Sequence, residues 1–251
     1  MCGRFAFTGT PEELMDALGM VDIDEFPPRY NIAPTQPILL VIADRGREPG
    51  SNLPNRRAML ARWGLIPAWA KNPADMPLNI NARSETAAEK ASFRTAMRHR
   101  RILIPASGFY EWRRTGKQSQ AYWVRPRNGG VVAFGGLMET YSEPGGSEID
   151  TAAILTTAAN GDVADIHDRM PVVIMPADFE RWLDCRTREP RDVAHLMRPP
   201  AEGFLEAIPV SDRVNKVSNS APELQQRVEP TPVATQPEKQ MPGNAGQLTL
   251  F

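Results

Sequence analysis

The sequence predicts an α+β fold, a single domain around a curved, barrel-like, mostly antiparallel sheet with peripheral helices. Three observations predict it. From Arg101 onward, short runs rich in Val, Ile, Tyr, Phe and Trp alternate with Gly- and Pro-bearing turns, as many short strands do and βαβ units do not. Helix signals are few and brief. The 251 residues, 41% of them hydrophobic, suffice for one sizeable core, with no apolar run of membrane-spanning length and no secretory leader.

In order, Phe5 to Phe7 reads as a short strand. Thr10-Pro11-Glu12-Glu13 opens a helix, with Thr10 as N-cap, Pro11 in the first turn and acids at the positive end of the dipole. Leu14, Met15 and Leu18 give that helix its apolar side, and Gly19 ends it. Residues 27–34 form a stiff, irregular loop, and Pro37 to Ala43 a buried strand. A turn-rich excursion covers 46–55, a strand covers 57–65, and 71–79 is loop. Ser84 is placed to cap a helix running to about Arg98. Strands follow at 101–105, 108–113, 121–125, 131–137 and 151–158, with Asn128-Gly129-Gly130 as a hairpin signal. After a polar loop around His167 come a strand at 172–175, short helices near 177–185 and 190–197, and a last strand at 204–210. Beyond Leu224 the chain turns rich in Pro, Gln, Thr and Glu. A domain over 2–224 and a disordered tail over 225–251 are expected.

Net charge is −1, so no global field advertises nucleic acid, and any such surface must be local. One candidate is Arg94 to Arg101, with four arginines and a histidine, followed by Arg113, Arg114 and Lys117. Two cysteines, Cys2 and Cys185, make no disulfide framework and suit a reducing cytoplasm. Three dispersed histidines show no metal-ligand spacing, so neither metal nor cofactor is expected.

Cys2 stands in a special covalent context. Removal of Met1 makes it an N-terminal cysteine, with a thiol and an α-amine two bonds apart. The amine titrates near ~7.7–8.0 and the thiol near ~8.5. An aldehyde meeting this pair forms an imine, on which the thiol closes to a five-membered thiazolidine.

Six blocks occur in order: M-C-G-R-F at 1–5, R-Y-N-I-A-P-T at 29–35, W-G-L-I-P-A-W at 63–69, N-A-R-S-E-T at 81–86, G-F-Y-E-W at 108–112 and D-I-H-D-R-M-P at 165–171. Together they resemble the SRAP family, the SOS-response-associated peptidases, understood as abasic-site processing proteins. The resemblance spans about residues 2 to 224. It implies a single domain that grips single-stranded DNA and a thiazolidine between Cys2 and the ring-opened sugar of an abasic site. By it, Asn81 orients the attack. Glu111, among three aromatics, shuttles protons with a pKa raised by desolvation. His167 holds a sugar or phosphate oxygen or moves a proton. Arg4 and Arg83 would reach phosphates, and Asn31, Pro34 and Thr156 would contact the strand. Trp69 would stack or wedge, and Trp63 would either do the same or fill the core.

The closing Gln247-Leu248-Thr249-Leu250-Phe251 resembles the short peptide with which bacterial replication and repair proteins dock on the sliding clamp. A monomer working at the nucleoid, without a membrane partner, is expected. Two other readings stay open: an N-terminal-nucleophile peptidase, in which the Cys2 amine is the base for its own thiol, and a non-catalytic single-strand-binding adaptor.

Overall fold

A computed structural model of the protein describes residues 2–20, 26–44, 55–143 and 145–230. Nearly all of the predicted 46–55 excursion and the end of the tail lie outside the described residues. The elements, in order, are β1 (Phe5–Phe7), α1 (Pro11–Leu18), β2 (Arg29–Ile32), β3 (Pro37–Ala43), β4 (Arg56–Trp63) and β5 (Asn81–Arg83). Next come α2 (Arg94–His99), β6 (Arg101–Ala106), β7 (Gly108–Thr115), β8 (Gln118–Pro126), β9 (Val132–Ser142) and β10 (Glu148–Ala158). The last are β11 (Arg169–Pro171), β12 (Val173–Ile174), α3 (Phe179–Leu183), α4 (Pro190–Val193) and β13 (Leu205–Val210).

The curved sheet closes. β4, β3, β6 and β9 pair in sequence antiparallel, and β10 pairs antiparallel with β9 on one side and parallel with β4 on the other. These five strands form a barrel without a free edge. β5, β11 and β12 extend it. A second sheet, in the order β13-β8-β7-β1-β2, packs against the barrel. Aromatic rings join the two: Phe5 meets Trp63 and Phe134 edge-on, and Phe109 meets Phe134, with ring centroids 5.2, 6.2 and 6.1 Å apart. The outer face of the second sheet, with Ala6, Tyr110, Trp123 and Ile208, is covered by Val214 and Leu224 from two 3-10 turns.

Local signals placed β1 and α1 correctly. Thr10 and Glu13 form a reciprocal capping box, at 3.2 and 2.9 Å, and Leu14 and Leu18 lie four residues apart on the buried side. Four expectations are corrected. Arg29–Ile32 is a strand rather than irregular loop, because β1 offers it an open edge. Ser84 caps no helix: its N–H is bonded to the Thr156 carbonyl (2.9 Å), and residues 84–93 form turns before α2. The Asn128-Gly129-Gly130 turn makes no hairpin. β8 belongs to the second sheet and β9 to the barrel, so the turn carries the chain between sheets, with φ of +72° and +83° at the two glycines. The chain also stays on the second sheet past Leu224, with the Val228 N–H bonded to the Pro209 carbonyl at 2.9 Å.

The basic stretch Arg94–Arg101 is not a single phosphate surface. Arg98 pairs with Glu189 (2.9 Å) and Arg100 with Glu139 (3.4 Å). Arg101 is buried and donates to the carbonyls of Met97, Trp182, Asp184 and Arg188 at 2.7–3.1 Å. Among the described residues no helix is long and apolar enough to cross a membrane.

Candidate functional site

The N-terminus is placed by strand register. β1 runs antiparallel to β7 with Phe5 opposite Phe109 and Ala6 opposite Gly108. The Tyr110 N–H to Arg4 carbonyl bond (2.9 Å) continues the pairing, which sets Gly3 opposite Glu111 and Cys2 one step further. Alternation along β7 turns Phe109 toward the main core and Tyr110 to the outer face, where its hydroxyl donates to the Tyr30 carbonyl at 2.8 Å. Glu111 shares the side of Phe109 and is buried. The strand can lie so close only because it begins with glycine: a Cβ at Gly108 would stand 2.3 Å from the Val124 carbonyl oxygen.

Cys2 is fully buried, its Sγ 3.8 Å from the Arg4 carbonyl. Burial raises the thiol pKa far above the ordinary range, and the Glu111 carboxylate raises it further, against a smaller lowering by the Arg4 backbone contact. Asn81, at the start of β5, donates from Nδ2 to the Cys2 carbonyl at 2.8 Å. Its Oδ1 is buried without a hydrogen-bond partner among the described residues. A buried acceptor left empty costs about 1–3 kcal/mol, and this one sits beside Cys2.

β5 lies parallel to β10, with Asn81 opposite Ile154 and Arg83 opposite Thr156. β11 lies on the same stretch, with Pro171 opposite Thr156 and Arg169 opposite Ala158. β5 and β11 therefore flank the same end of β10 on its two edges, and the His167 loop stands at that end. His167 Nδ1 accepts the Arg169 N–H at 2.9 Å. An accepting Nδ1 has no proton to give, so its 2.8 Å approach to Asp168 becomes an ion pair only when the ring is protonated.

The other predicted contacts divide. Arg83 and Trp69 are exposed, Trp69 at 56%, with its Nε1 donating to the Ala91 carbonyl (3.2 Å). Pro34 is half-buried ahead of Thr35, which takes φ +73° and whose N–H is bonded to the Trp63 carbonyl (2.8 Å). Trp63 has no accessible face: it is wholly buried, with Nε1 donating to the Ile80 carbonyl (2.9 Å), and it fills the core. Thr156 is also wholly buried, and its carbonyl and hydroxyl accept from Arg169. Asn31 is buried and committed: Oδ1 accepts from Arg4 (2.7 Å), and Nδ2 donates to the carbonyls of Val214, Lys216 and Asn219 at 2.8–3.2 Å. Arg4 also donates to the Val214 carbonyl (2.7 Å). Arg4 and Asn31 thus hold the 212–219 loop beside Cys2. Gln247, Leu248, Leu250 and Phe251 lie outside the described residues.

Sequence reasoning missed two features. Arg169 binds both carboxylate oxygens of Glu85, at 2.6 and 2.9 Å, and so joins the His167 loop to the turn after β5. Its signal was its place two residues after His167 in the same block. The 212–219 loop gave no signal, because D-R-V-N-K-V-S-N has no hydrophobic periodicity and matches no motif.

Comparison with known proteins gives a consistent result. The family described as SOS response associated peptidase (SRAP) matches residues 1–217. Abasic site processing protein YoqW of Bacillus subtilis is 39% identical over 231 residues, which cover 89% of this chain and 98% of YoqW. Abasic site processing protein YedK of Escherichia coli is 33% identical over 237 residues, covering 91% and 100%. An X-ray crystal structure of a Bacteroides thetaiotaomicron protein superposes with a TM-score of 0.75 at 22% identity, covering 91% of this chain and all of that one, and shows a shared fold.

Proposed function

The chain belongs to the SRAP family, and from that membership we propose that it processes abasic sites, capturing them in single-stranded DNA as a covalent adduct of Cys2. The observation that carries the reading is the grouping of Cys2, Asn81 and Glu111. The Cys2 thiol is buried, the Glu111 carboxylate acts on it, and Asn81, bonded to the Cys2 carbonyl, has a buried Oδ1 without a hydrogen-bond partner among the described residues.

Removal of Met1 frees the Cys2 amine. The amine attacks first, at the aldehyde carbon of the ring-opened sugar. A proton passes from nitrogen to the carbinolamine oxygen, and water leaves to give the imine. The thiol then adds across the C=N bond, its sulfur to carbon and its proton to nitrogen. The product is a thiazolidine and one water. Glu111 carries these protons, a role that contributes typically ~10²–10⁴-fold. Asn81 Oδ1 accepts from the amine or the carbinolamine hydroxyl and fixes the direction of attack. His167, with Nδ1 occupied by the Arg169 N–H, presents a protonated Nε2 and assists opening of the sugar. Arg83 and Trp69 hold the flanking strand by charge and by stacking.

The test is purified protein mixed with a single-stranded oligonucleotide carrying one abasic site, and with the intact oligonucleotide. A heat-stable band only with the abasic strand is expected, with a mass equal to both partners less Met1 and one water. Hydrolysis of peptides with no DNA adduct would instead select the peptidase reading. Reversible binding with no adduct would select the adaptor.

Recruitment is part of the same proposal, with Leu248, Leu250 and Phe251 docking on a bacterial sliding clamp after a polar linker. A synthetic tail peptide is expected to bind a purified clamp. Unchanged binding after Leu250→Ala with Phe251→Ala would remove this part and leave the chemistry untouched.

A further inference from the structure

Five cations are left over from the site just described, and the fold gathers them. Arg113, Arg114 and Lys117 lie at the tip of the β7–β8 hairpin. Arg213 and Lys216 lie on the 212–219 loop. The two segments are tied by Trp112, whose Nε1 donates to Asn215 Oδ1 at 2.8 Å. Arg113 is half-buried and the other four are exposed.

Several basic groups elsewhere are neutralised. Arg98, Arg100, Arg125 and Arg169 are each paired with a carboxylate. None of the five has an ion pair among the described residues, and Asp212 is the only acid on either segment. Unpaired like charges on two adjoining segments create a local field even where the net charge is −1. Arg113 adds a planar element, its guanidinium 5.2 Å from the centre of the Tyr122 ring.

The position is specific. Arg113 lies two residues beyond Glu111 on β7 and so on the same side of the strand, about 7 Å further along, whereas Trp112 between them turns to the other face and meets the 212–219 loop, so the two sets of cations flank the hairpin tip from its two faces. The loop with Arg213 and Lys216 is fastened by Asn31 and by Arg4, two residues along the chain from Cys2. We propose that the hairpin tip and this loop form a phosphate-binding track that holds the DNA strand where it leaves the reactive centre. This rests on the reading of the protein as an abasic-site processor and adds a second surface, on the second sheet, to the one carried by β5. Phosphate contacts of this kind position a strand without reading its sequence. Val217, 41% exposed beside Lys216, offers an apolar contact for a base or sugar.

The experiment uses the full chain and oligonucleotides with a tetrahydrofuran abasic analogue, which binds but cannot react. Fluorescence anisotropy across a salt series gives affinity and salt slope for the wild type, for Arg114→Ala with Lys117→Ala, and for Arg213→Ala with Lys216→Ala. Each neutralised contact to a single strand should reduce the slope of log K against log salt by about 0.7. Each double variant should lose about 1.4 in slope and at least about tenfold in affinity at low salt. A second measurement is acetylation of the wild type with and without DNA, in which Lys117 and Lys216 should be protected. Unchanged slopes together with unprotected lysines would overturn the track. If the wild type crosslinks the authentic abasic strand while the slopes stay unchanged, the track alone falls. If it neither binds nor crosslinks, the functional reading falls with it.

Discussion

Cys2→Ala is expected to abolish the spontaneous, heat-stable adduct while leaving an adduct that borohydride can trap. The variant keeps an N-terminal α-amine, so it still forms an imine with the opened sugar. What it lacks is the sulfur that closes the ring. The stable product should fall to background, roughly 100-fold or more, in a denaturing gel run with and without borohydride. Cys2→Ser should behave in the same way, because a hydroxyl of similar size fills the buried space but closes the ring poorly. A heat-stable adduct formed by either variant at the wild-type rate would sink the thiazolidine mechanism. Glu111 enters through the thiol, whose pKa it raises beyond the effect of burial.

Arg101→Ala should be among the most destabilising single changes outside the site. The guanidinium is buried, donates to four carbonyls and lies with its centre 5.7 Å from the Trp182 ring. Removing it leaves those acceptors without a donor in a place that water reaches poorly. Breaking a buried charged network typically costs about 3–5 kcal/mol. For a protein of this size that corresponds to a fall in Tm of about 6–20 °C. Thermal denaturation followed by circular dichroism measures it. A fall below about 2 °C would show that the network adds little. Arg101→Lys should be intermediate, since one ammonium cannot reach carbonyls arranged for a planar fork.

What could be read from the sequence was what depends on near neighbours. Thr10, Pro11 and Gly19 announce α1 because each acts on backbone groups within four residues. The catalytic candidates could be named because their blocks are short and ordered. What could not be read depends on partners far along the chain. Ser84 looks like a helix cap until β10 takes its N–H. Trp63 looks like a stacking face until the pairing of β4 with β3 and the packing of Phe5 turn it inward. Asn31 has the right chemistry to touch a strand, yet all its polar capacity is spent on Arg4 and on carbonyls 183 to 188 residues away. Closure of the barrel is likewise non-local, because it needs the parallel pairing of β10 with β4.

The bond from Arg4 to the Val214 carbonyl spans 210 residues and has a consequence for timing. Arg4 leaves the ribosome 210 residues ahead of the Val214 carbonyl that it holds. At about 5–20 residues per second, roughly 10–40 s separate the two. Through that interval Arg4 and Asn31 have no 212–219 loop to hold. Arg4 and Asn31 therefore reach their final arrangement late in synthesis, and a ribosome that stops short of Val214 releases them without the loop they hold.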